Sequence, residues 1–202
     1  MTVLSDRDIK RALETGEIVI DPLDEDYLEE ALGPASLDLR LGNEFVVFKT
    51  LHKPCIDPTK DAGENTERIV IDEDEEFVIN PGELVLGVTY EWIEINSPEI
   101  TGVLHGRSSL GRLGIQAHVE AGYVDPGWRG RLTLELVNFN PMPVKLRPGM
   151  RIVQIVFHRL SSAAERVYPE FSGKYYGDKR PAPSRLHLDF RDENEEGKGR
   201  ES

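Results

Sequence analysis

Residues 131–139 read RLTLELVNF, a stretch that indicates a β-strand with one apolar face. Leucines occupy every second position: Leu132, Leu134 and Leu136. Because successive side chains of a strand point to opposite sides, the leucines are predicted to face the core, and Thr133 and Glu135 the other side. A glutamate on the outer face of a strand is ordinarily only solvated. The position alone therefore leaves a structural and a functional interpretation of Glu135 open.

Similar runs on both sides of this stretch predict a mainly β protein. Six further segments resemble short strands: SLDLRLG (36–42), EFVVFKT (44–50), RIVI (68–71), EFVIN (76–80), ELVLGVTYEWIEI (83–95) and RIVQIVFHRL (151–160). Turn signals occur at Asn80-Pro81-Gly82, Asp125-Pro126-Gly127, Asn140-Pro141 and Arg147-Pro148-Gly149. Many short strands with Gly/Pro turns and few helices are typical of an all-β sandwich or barrel.

Two short helices are predicted before the first of these strands. Ser5 suits the N-cap of DRDIKRALETGE, in which Ile9 and Leu13 have helical spacing and Gly16 ends the helix. Residues 24–32 are predicted to form the second helix. We expect residues 1–190 to form one mainly β domain with this short helical segment at its N-terminal end.

Two charged segments are predicted to lie at the periphery. Residues 57–76 hold eleven charged residues, nine of them acidic, and are expected to form a surface loop or insertion before a strand. Residues 191–202 are charged and contain glycine but no apolar anchor, which is typical of a disordered tail. Solvation alone explains both segments.

The net charge of the chain, −13, has the wrong sign for general binding to nucleic acid or to an anionic membrane. Residues 107–131 differ, because their four arginines (107, 112, 129 and 131) and two carboxylates (120 and 125) give a net charge of +2. A local cationic cluster in an acidic chain favours a small anionic ligand. The sequence has no apolar run long enough to span a membrane and no signal-peptide core, so we expect a cytoplasmic protein.

The segment GRSSLGR, residues 106–112, carries the most specific signal for a ligand. Ser108 and Ser109 lie between Arg107 and Arg112, and guanidinium groups, hydroxyls and backbone N–H groups together suit phosphate oxygens. The alternative is the start of a helical turn capped by serine.

Three other positions keep two interpretations each. Asp125 is a natural turn residue before Pro-Gly, or a ligand contact. Gln154, opposite Val153 and Ile155 in its strand, is an ordinary outward polar residue or a ligand contact. Lys174 lies in a Gly/Pro-rich segment that is either an exposed tail or a mobile cover with the ammonium group on phosphate.

Known metal and nucleophile motifs are absent from the sequence. It lacks the HxE…PCxxC pattern of zinc deaminases, the HExxH pair, the Walker A loop and the GxSxG elbow. The single cysteine, Cys55, excludes an internal disulfide and a multi-cysteine metal site. We therefore expect a site that contains no metal bound by protein side chains.

Three motifs, in this order and spacing, resemble the dCTP deaminase family, a branch of the trimeric dUTPase superfamily. They are GRSSLGRLG (106–114), AGYVDPGWRGRLTLEL (121–136) and LRPGMRIVQIVF (146–157). PASLDLRLGNEF (34–45) and KYYG…PSR (174–185) fit the same family, so the resemblance extends over residues 4–190. It implies a distorted β-barrel (β-clip) subunit, a homotrimer with active sites between subunits, and deamination of dCTP to dUTP without zinc.

The resemblance also implies roles for individual residues. Glu135 would be the general base for the water that attacks cytosine C4, with Ser108 and Arg112 orienting that water and stabilising the tetrahedral state. The Ala121 carbonyl would help to hold the water, and Asp125 would bind the deoxyribose hydroxyl. The remaining positions implied to contact or enclose the nucleotide are Arg107, Ser109, Leu110, Gly111, Thr133, Leu134, Gln154, Tyr168 and Lys174.

The family has a type that releases dUTP and a bifunctional type that hydrolyses it further to dUMP and diphosphate. Gly122 and Gln154 resemble the bifunctional type, since a glycine leaves room for a water near the α-phosphate. Mg²⁺ is expected to accompany the triphosphate, and dTTP feedback is common in the family. Two residues depart from the family pattern: Glu120 replaces the usual threonine, and Asp178 replaces a glutamine. Asp178 would repel phosphate unless a cation bridges it.

Two other functions compete with deamination. One is a dUTPase without deaminase activity, which shares the ASLDLRLG-like and AGYVDPGWRG-like motifs. The other is a non-catalytic β-clip protein that binds nucleotide or forms a trimeric scaffold. The joint presence of Ser108, Arg112 and Glu135 favours deamination, because a pure phosphohydrolase needs no base at the pyrimidine ring.

Overall fold

The computed structural model describes residues 2–49, 55–120, 122–170 and 173–190. Strands dominate these ranges, as predicted. They are β1 (Thr2–Val3), β2 (Ile18–Asp21), β3 (Leu37–Arg40), β4 (Glu44–Phe48), β5 (Thr66–Val70), β6 (Phe77–Ile79), β7 (Leu84–Ile95), β8 (Ile100–Gly106), β9 (Ile115–Gln116), β10 (Tyr123–Val124), β11 (Arg129–Asn138), β12 (Val144–Leu146) and β13 (Arg151–Arg159). The proposed tail, 191–202, lies outside the described residues, and the assignment of one domain to residues 1–190 stays a prediction.

Both predicted N-terminal helices are present. Helix α1 (Asp6–Glu14) begins with a capping box in which the Ser5 side chain and Asp8 satisfy each other's backbone N–H groups. Helix α2 (Glu25–Ala31) is capped by Asp24, whose carboxylate accepts from a backbone N–H. In the described ranges, the other helical segments are the short α3 (Ser108–Arg112) and two 3₁₀ turns, Ala62–Asn65 and Leu186–Phe190. Among the helices of the described ranges, none is long and apolar enough to cross a membrane.

The strands form antiparallel sheets. In the first, the order is β1-β13-β8-β10, with β3 also paired to β13. In the second it is β5-β4-β7-β11-β9, with β2 also paired to β7. β12 pairs with β6 in a separate ribbon. The predicted mainly β fold is therefore confirmed.

The alternation in β11 has the predicted orientation. Its three leucines are buried in the core, and the alternating residues Thr133, Glu135 and Val137 are half-buried on the other face.

The acidic segment 57–76 is exposed for the most part, but it is not only a loop. Its residues Thr66–Val70 form β5, because they pair along the length of β4.

A buried ion pair fixes β3 against β7. Glu91 is fully buried and accepts from the Arg40 backbone N–H (2.9 Å) and from Arg40 Nε (2.6 Å). Burial raises the pKa of Glu91, although its bonds to Arg40 oppose that shift. The Arg40 guanidinium also stacks on the rings of Tyr27 (3.8 Å) and Tyr90 (4.7 Å). These contacts hold β3, and the side chains it carries, in a defined place.

Candidate active site

A cavity of about 380 Å³ lies over the polar face of β11. Glu135 and Thr133 line it together with Arg131, and Tyr123 and Trp128 contribute aromatic surface. The size and the mixed lining suit a small planar ligand with a few polar groups. Two of the sequence-predicted residues, Thr133 and Glu135, therefore share one cavity wall.

The Glu135 carboxylate is oriented by the backbone of a neighbouring loop. The Val119 N–H donates to Glu135 Oε2 at 2.9 Å. A backbone donor of this kind fixes the position of the carboxylate. The loop that supplies it continues directly to Glu120, which is exposed and whose carbonyl accepts from the Gly122 N–H (2.9 Å).

The segment 173–190 covers this cavity from the C-terminal side. Its backbone forms hydrogen bonds to β11 next to the register shift between Arg131 and Thr133. The Arg131 N–H donates to the Asp178 carbonyl (2.8 Å), and the Gly177 N–H donates to the Arg129 carbonyl (2.8 Å). The Thr133 hydroxyl accepts from the Ala182 N–H (3.2 Å). Four residues of the segment line the cavity: Tyr175, Asp178, Ala182 and Ser184.

Asp178, one of the two departures from the family pattern, is paired with a cation. Arg185 Nη2 donates to Asp178 Oδ1 (3.0 Å). Arg185 Nη1 lies 2.9 Å from Asp178 Oδ2 and donates its hydrogen bond to the Lys174 carbonyl. The Arg185 N–H also donates to the Tyr175 hydroxyl (2.9 Å). Arg185 thus offsets the negative charge at the cavity wall and ties the covering segment together.

Tyr168 and Lys174 have partners within the same region. Tyr168 is buried against Trp128, with ring centroids 5.3 Å apart, and its hydroxyl accepts from the Tyr175 N–H (3.0 Å). The Lys174 ammonium forms an ion pair with Asp189. Contact of either side chain with a nucleotide stays a prediction.

A second cavity, of about 470 Å³, lies beside α3. Arg107, Ser108 and Gly111 line it with His118 and Phe139. A helical turn is present in this segment, but the predicted serine cap is wrong, because the N-cap is Arg107, which makes no side-chain capping bond. Binding of phosphate by this segment stays a prediction. The buried Leu110 anchors the turn, and Ser108, Ser109, Gly111 and Arg112 are exposed. Serines are therefore presented outward, where a ligand has access to them.

The two cavities have no lining residue in common within the described ranges. In a single protomer, Glu135 and Ser108 therefore belong to different cavities. The resemblance assigns both residues to one site, so a single protomer does not by itself bring the predicted catalytic groups together.

Arg107 directly follows β8 of the first sheet, and Gln154 lies on β13 of the same sheet. Arg107 Nη2 is 3.1 Å from Asp38 Oδ2, and Gln154 on β13 is in register with Asp38 on β3 and with His105 on β8. The Ser36 hydroxyl lies 3.5 Å from the Gln154 side-chain oxygen. Burial raises the pKa of Asp38, and the neighbouring Arg107 and Arg151 oppose that shift.

The predicted Asp125-Pro-Gly turn is present and needs its glycine. Gly127 has φ +86°, and a Cβ there would lie 2.1 Å from the Tyr168 carbonyl oxygen. Asp125 is half-buried, and burial raises its pKa.

The backbone at Gly122 is also confined, because a Cβ there would lie 3.0 Å from the Leu104 carbonyl oxygen and 3.1 Å from His118 Cε1. Ala121 lies outside the described residues. Leu134 is buried in the core, so contact of its side chain with a ligand has no support here.

Several residues of the site were missed by the sequence analysis. Asp38 and Arg185 act through partners that are distant in sequence, and Val119 acts through its backbone. Tyr123 and Trp128 flank the Asp125 turn, and aromatic residues beside a predicted site are a signal that could have identified them.

Comparison with known proteins agrees with these motifs. A family model described as dCTP deaminase-like matches residues 3–160. A protein of Methanopyrus kandleri named "dCTP deaminase, dUMP-forming" is 89% identical over 190 residues, which cover 94% of this chain and 98% of that one. A protein of Natronomonas pharaonis named "dCTP deaminase" is 47% identical over 190 residues, or 93% and 96% of the two chains. The crystal structure of 2'-deoxycytidine 5'-triphosphate deaminase from Agrobacterium tumefaciens superposes with a TM-score of 0.59 at 23% identity, covering 78% of this chain and 48% of that chain. This last likeness shows the fold alone.

Proposed function

The chain belongs to the dCTP deaminase-like family, and from this premise we propose that it converts dCTP to dUMP in two hydrolytic steps. The first replaces the exocyclic amino group of cytosine by oxygen, so that dCTP and water give dUTP and ammonia. The second cleaves dUTP with another water to dUMP and diphosphate. The observation that carries the first step is the oriented Glu135 carboxylate in a cavity of nucleoside size.

For deamination, Glu135 takes a proton from the water that attacks cytosine C4 and delivers it toward the departing amino group. A carboxylate can activate the water by taking its proton, which is general base catalysis. The Val119 N–H holds this carboxylate in place. Ser108 and Arg112 would stabilise the charge that develops in the tetrahedral state, and the Ala121 carbonyl would hold the water.

The proposed assembly is a homotrimer with the active sites between subunits. Glu135 and Ser108 line separate cavities, so a site that needs both groups is incomplete in one chain. A neighbouring copy in a closed ring would supply the missing half to each site. Leu113 and Phe139, near Ser108, are 51% and 69% exposed, which suits a surface that a second subunit covers.

The second step is supported by Gly122 and by the name of the 89% identical relative. A water near the α-phosphate needs the space that a side chain at position 122 would fill. The substrate would be the Mg²⁺ complex of the triphosphate, since the metal neutralises the leaving diphosphate.

Ammonia release distinguishes the proposed function from its closest alternative. The protein is incubated with dCTP or with dUTP, and ammonia and nucleotides are quantified. Deamination predicts one ammonia per dCTP consumed. Consumption of dUTP with no ammonia from dCTP would identify a dUTPase, and no reaction with either would indicate a non-catalytic protein.

Gly122→His should separate the two steps. The imidazole would crowd the turn beside His118 and exclude the attacking water, so diphosphate release from dUTP is expected to fall at least about tenfold while deamination is partly retained. Product chromatography with each nucleotide measures this, and Gly122→Ala is the matched control for crowding at the turn. Equal loss of both reactions in the two variants would contradict a specific role in diphosphate release.

Arg185→Ala should loosen the cover of the cavity. The variant loses the contacts to Asp178 and the Lys174 carbonyl, so faster deuterium uptake is expected in residues 174–185, with a rise in KM for dCTP of about threefold to tenfold. Arg180→Ala, which removes an exposed arginine of the same segment, is the control. Unchanged exchange in Arg185→Ala would show that the segment is held by its backbone bonds alone.

A further inference from the structure

We propose that Asp38 holds Arg107 and Arg151 together as a two-arginine clamp for the polyphosphate of the nucleotide. The inference rests on the proposed function for the identity of the ligand. It assigns a positioning role to Asp38 and a binding role to Arg151, and neither residue carried a role in the sequence analysis.

The clamp is centred on one carboxylate oxygen. Asp38 Oδ2 lies 3.1 Å from Arg107 Nη2 and 3.6 Å from Arg151 Nη1. Arg107 Nη1 also donates to the Arg151 backbone carbonyl (3.4 Å). Two guanidinium groups repel each other, so a shared carboxylate between them is what allows both to stay in one place.

Both arginines keep the capacity to bind an anion. Their side chains are 29% (Arg107) and 37% (Arg151) exposed, whereas that of Asp38 is only 14% exposed. Two cations and one carboxylate leave a net charge of +1 at the surface, in a chain whose net charge is −13. Arg151 Nη1 donates to the Glu30 carbonyl (2.9 Å), which fixes the direction of its side chain. Prealigned guanidinium groups lose little freedom when they bind phosphate oxygens.

The surroundings of the clamp match a phosphate site. Arg107 precedes Ser108 and lines the same cavity, so the arginine pair continues into the serine-bearing turn. Gln154 lies beside Asp38 in strand register and adds a neutral hydrogen-bonding group. Two residues along β3, the buried Arg40–Glu91 pair fixes the strand that carries Asp38.

The test compares four variants with the wild type: Asp38→Ala, Asp38→Asn, Arg151→Ala and the control Glu99→Ala. Glu99→Ala breaks an ion pair with Arg159 on the same sheet, away from the clamp. KM and kcat are measured with dCTP, and the affinity for inorganic tripolyphosphate is measured by calorimetry. Circular dichroism and thermal melts confirm that each variant is folded.

Asp38→Ala and Arg151→Ala are expected to raise KM and to weaken tripolyphosphate binding by the same factor, about tenfold, with kcat within about twofold. Asp38→Asn should weaken binding by less than Asp38→Ala, about threefold, because its amide oxygen still accepts from Arg107 but carries no charge to offset the two guanidinium groups. Glu99→Ala should match the wild type.

Unchanged affinity in folded Arg151→Ala would overturn the binding role, and unchanged affinity in folded Asp38→Ala would overturn the positioning role. If Asp38→Ala fails to fold, a tenfold loss in Arg151→Ala together with a smaller but measurable loss in Asp38→Asn supports the clamp, and unchanged affinity in either variant contradicts it. Calorimetry needs no turnover, so a wild type that binds tripolyphosphate but leaves dCTP intact would refute the proposed deamination and not the clamp.

Discussion

Glu135→Gln should lower the rate of dCTP deamination by about 10²–10⁴-fold, the usual cost of losing a general base. The amide cannot take a proton from the attacking water. It keeps the size of the side chain, and its oxygen can still accept from the Val119 N–H, so the loop and the cavity should be preserved. Affinity for dCTP, measured by calorimetry, should change little. Stopped-assay chromatography of the nucleotides gives the rate.

A matched control and a contradicting result are available for this variant. Glu83→Gln makes the same chemical change at a glutamate whose carboxylate bonds to Asn80 in a turn, and it should leave turnover unchanged. Turnover of Glu135→Gln above about a tenth of the wild-type rate would mean that another group activates the water.

Arg112→Ala should lower kcat for deamination by about 10²–10³-fold, the range found when one donor to a developing charge is removed. Arg112 is exposed at the end of α3, so its removal should not disturb the core of its own subunit. An effect on kcat and kcat/KM together, without a matching loss of dCTP affinity, is the signature of a group that acts in the transition state. A rise in KM alone would place Arg112 on the phosphates instead.

Mixing the two inactive variants tests the shared site. Glu135→Gln and Arg112→Ala subunits are co-refolded in equal amounts. If each site takes Glu135 from one subunit and Arg112 from its neighbour in a ring, random mixing gives about a quarter of wild-type activity. Sites built within one chain would give no activity above that of the separate variants.

The fold was predictable wherever apolar residues alternate, as in β11. Strand β8 was missed because Thr101, Gly102 and His105 interrupt its apolar pattern. The structure explains why residue 102 is a glycine. A Cβ at this position would lie 2.7 Å from Ile155 Cδ1, because β8 and β13 pack closely here. Buried Thr101 is satisfied by the Val124 carbonyl (2.8 Å). Neither contact is visible in the local sequence.

The candidate site was predictable to the extent that its residues cluster in short motifs. Alternation predicted the outward face of Glu135, and the concentration of positive charge pointed to the arginine-serine turn, whereas the catalytic role of Glu135 was implied only by the resemblance to the family. Pairs such as Asp38 with Arg107 join segments far apart in the chain, and the cation opposite Asp178 is Arg185. These pairs form because of the strand register and the path of residues 173–190 over the cavity. Local patterns in a single sequence specify neither of them.

The most direct test of the central claim is a combined ¹H and ³¹P NMR time course of wild-type protein with dCTP and Mg²⁺, repeated with Glu135→Gln. The pyrimidine H5 and H6 signals distinguish cytosine from uracil, and the phosphorus signals report the release of diphosphate. The two-step account predicts that the dCTP signals are replaced by those of dUMP and diphosphate, and that both products are nearly absent with Glu135→Gln. Accumulation of dUTP alone by the wild type would contradict the second step. Persistence of dCTP with the wild type, or unchanged product formation with Glu135→Gln, would contradict the first.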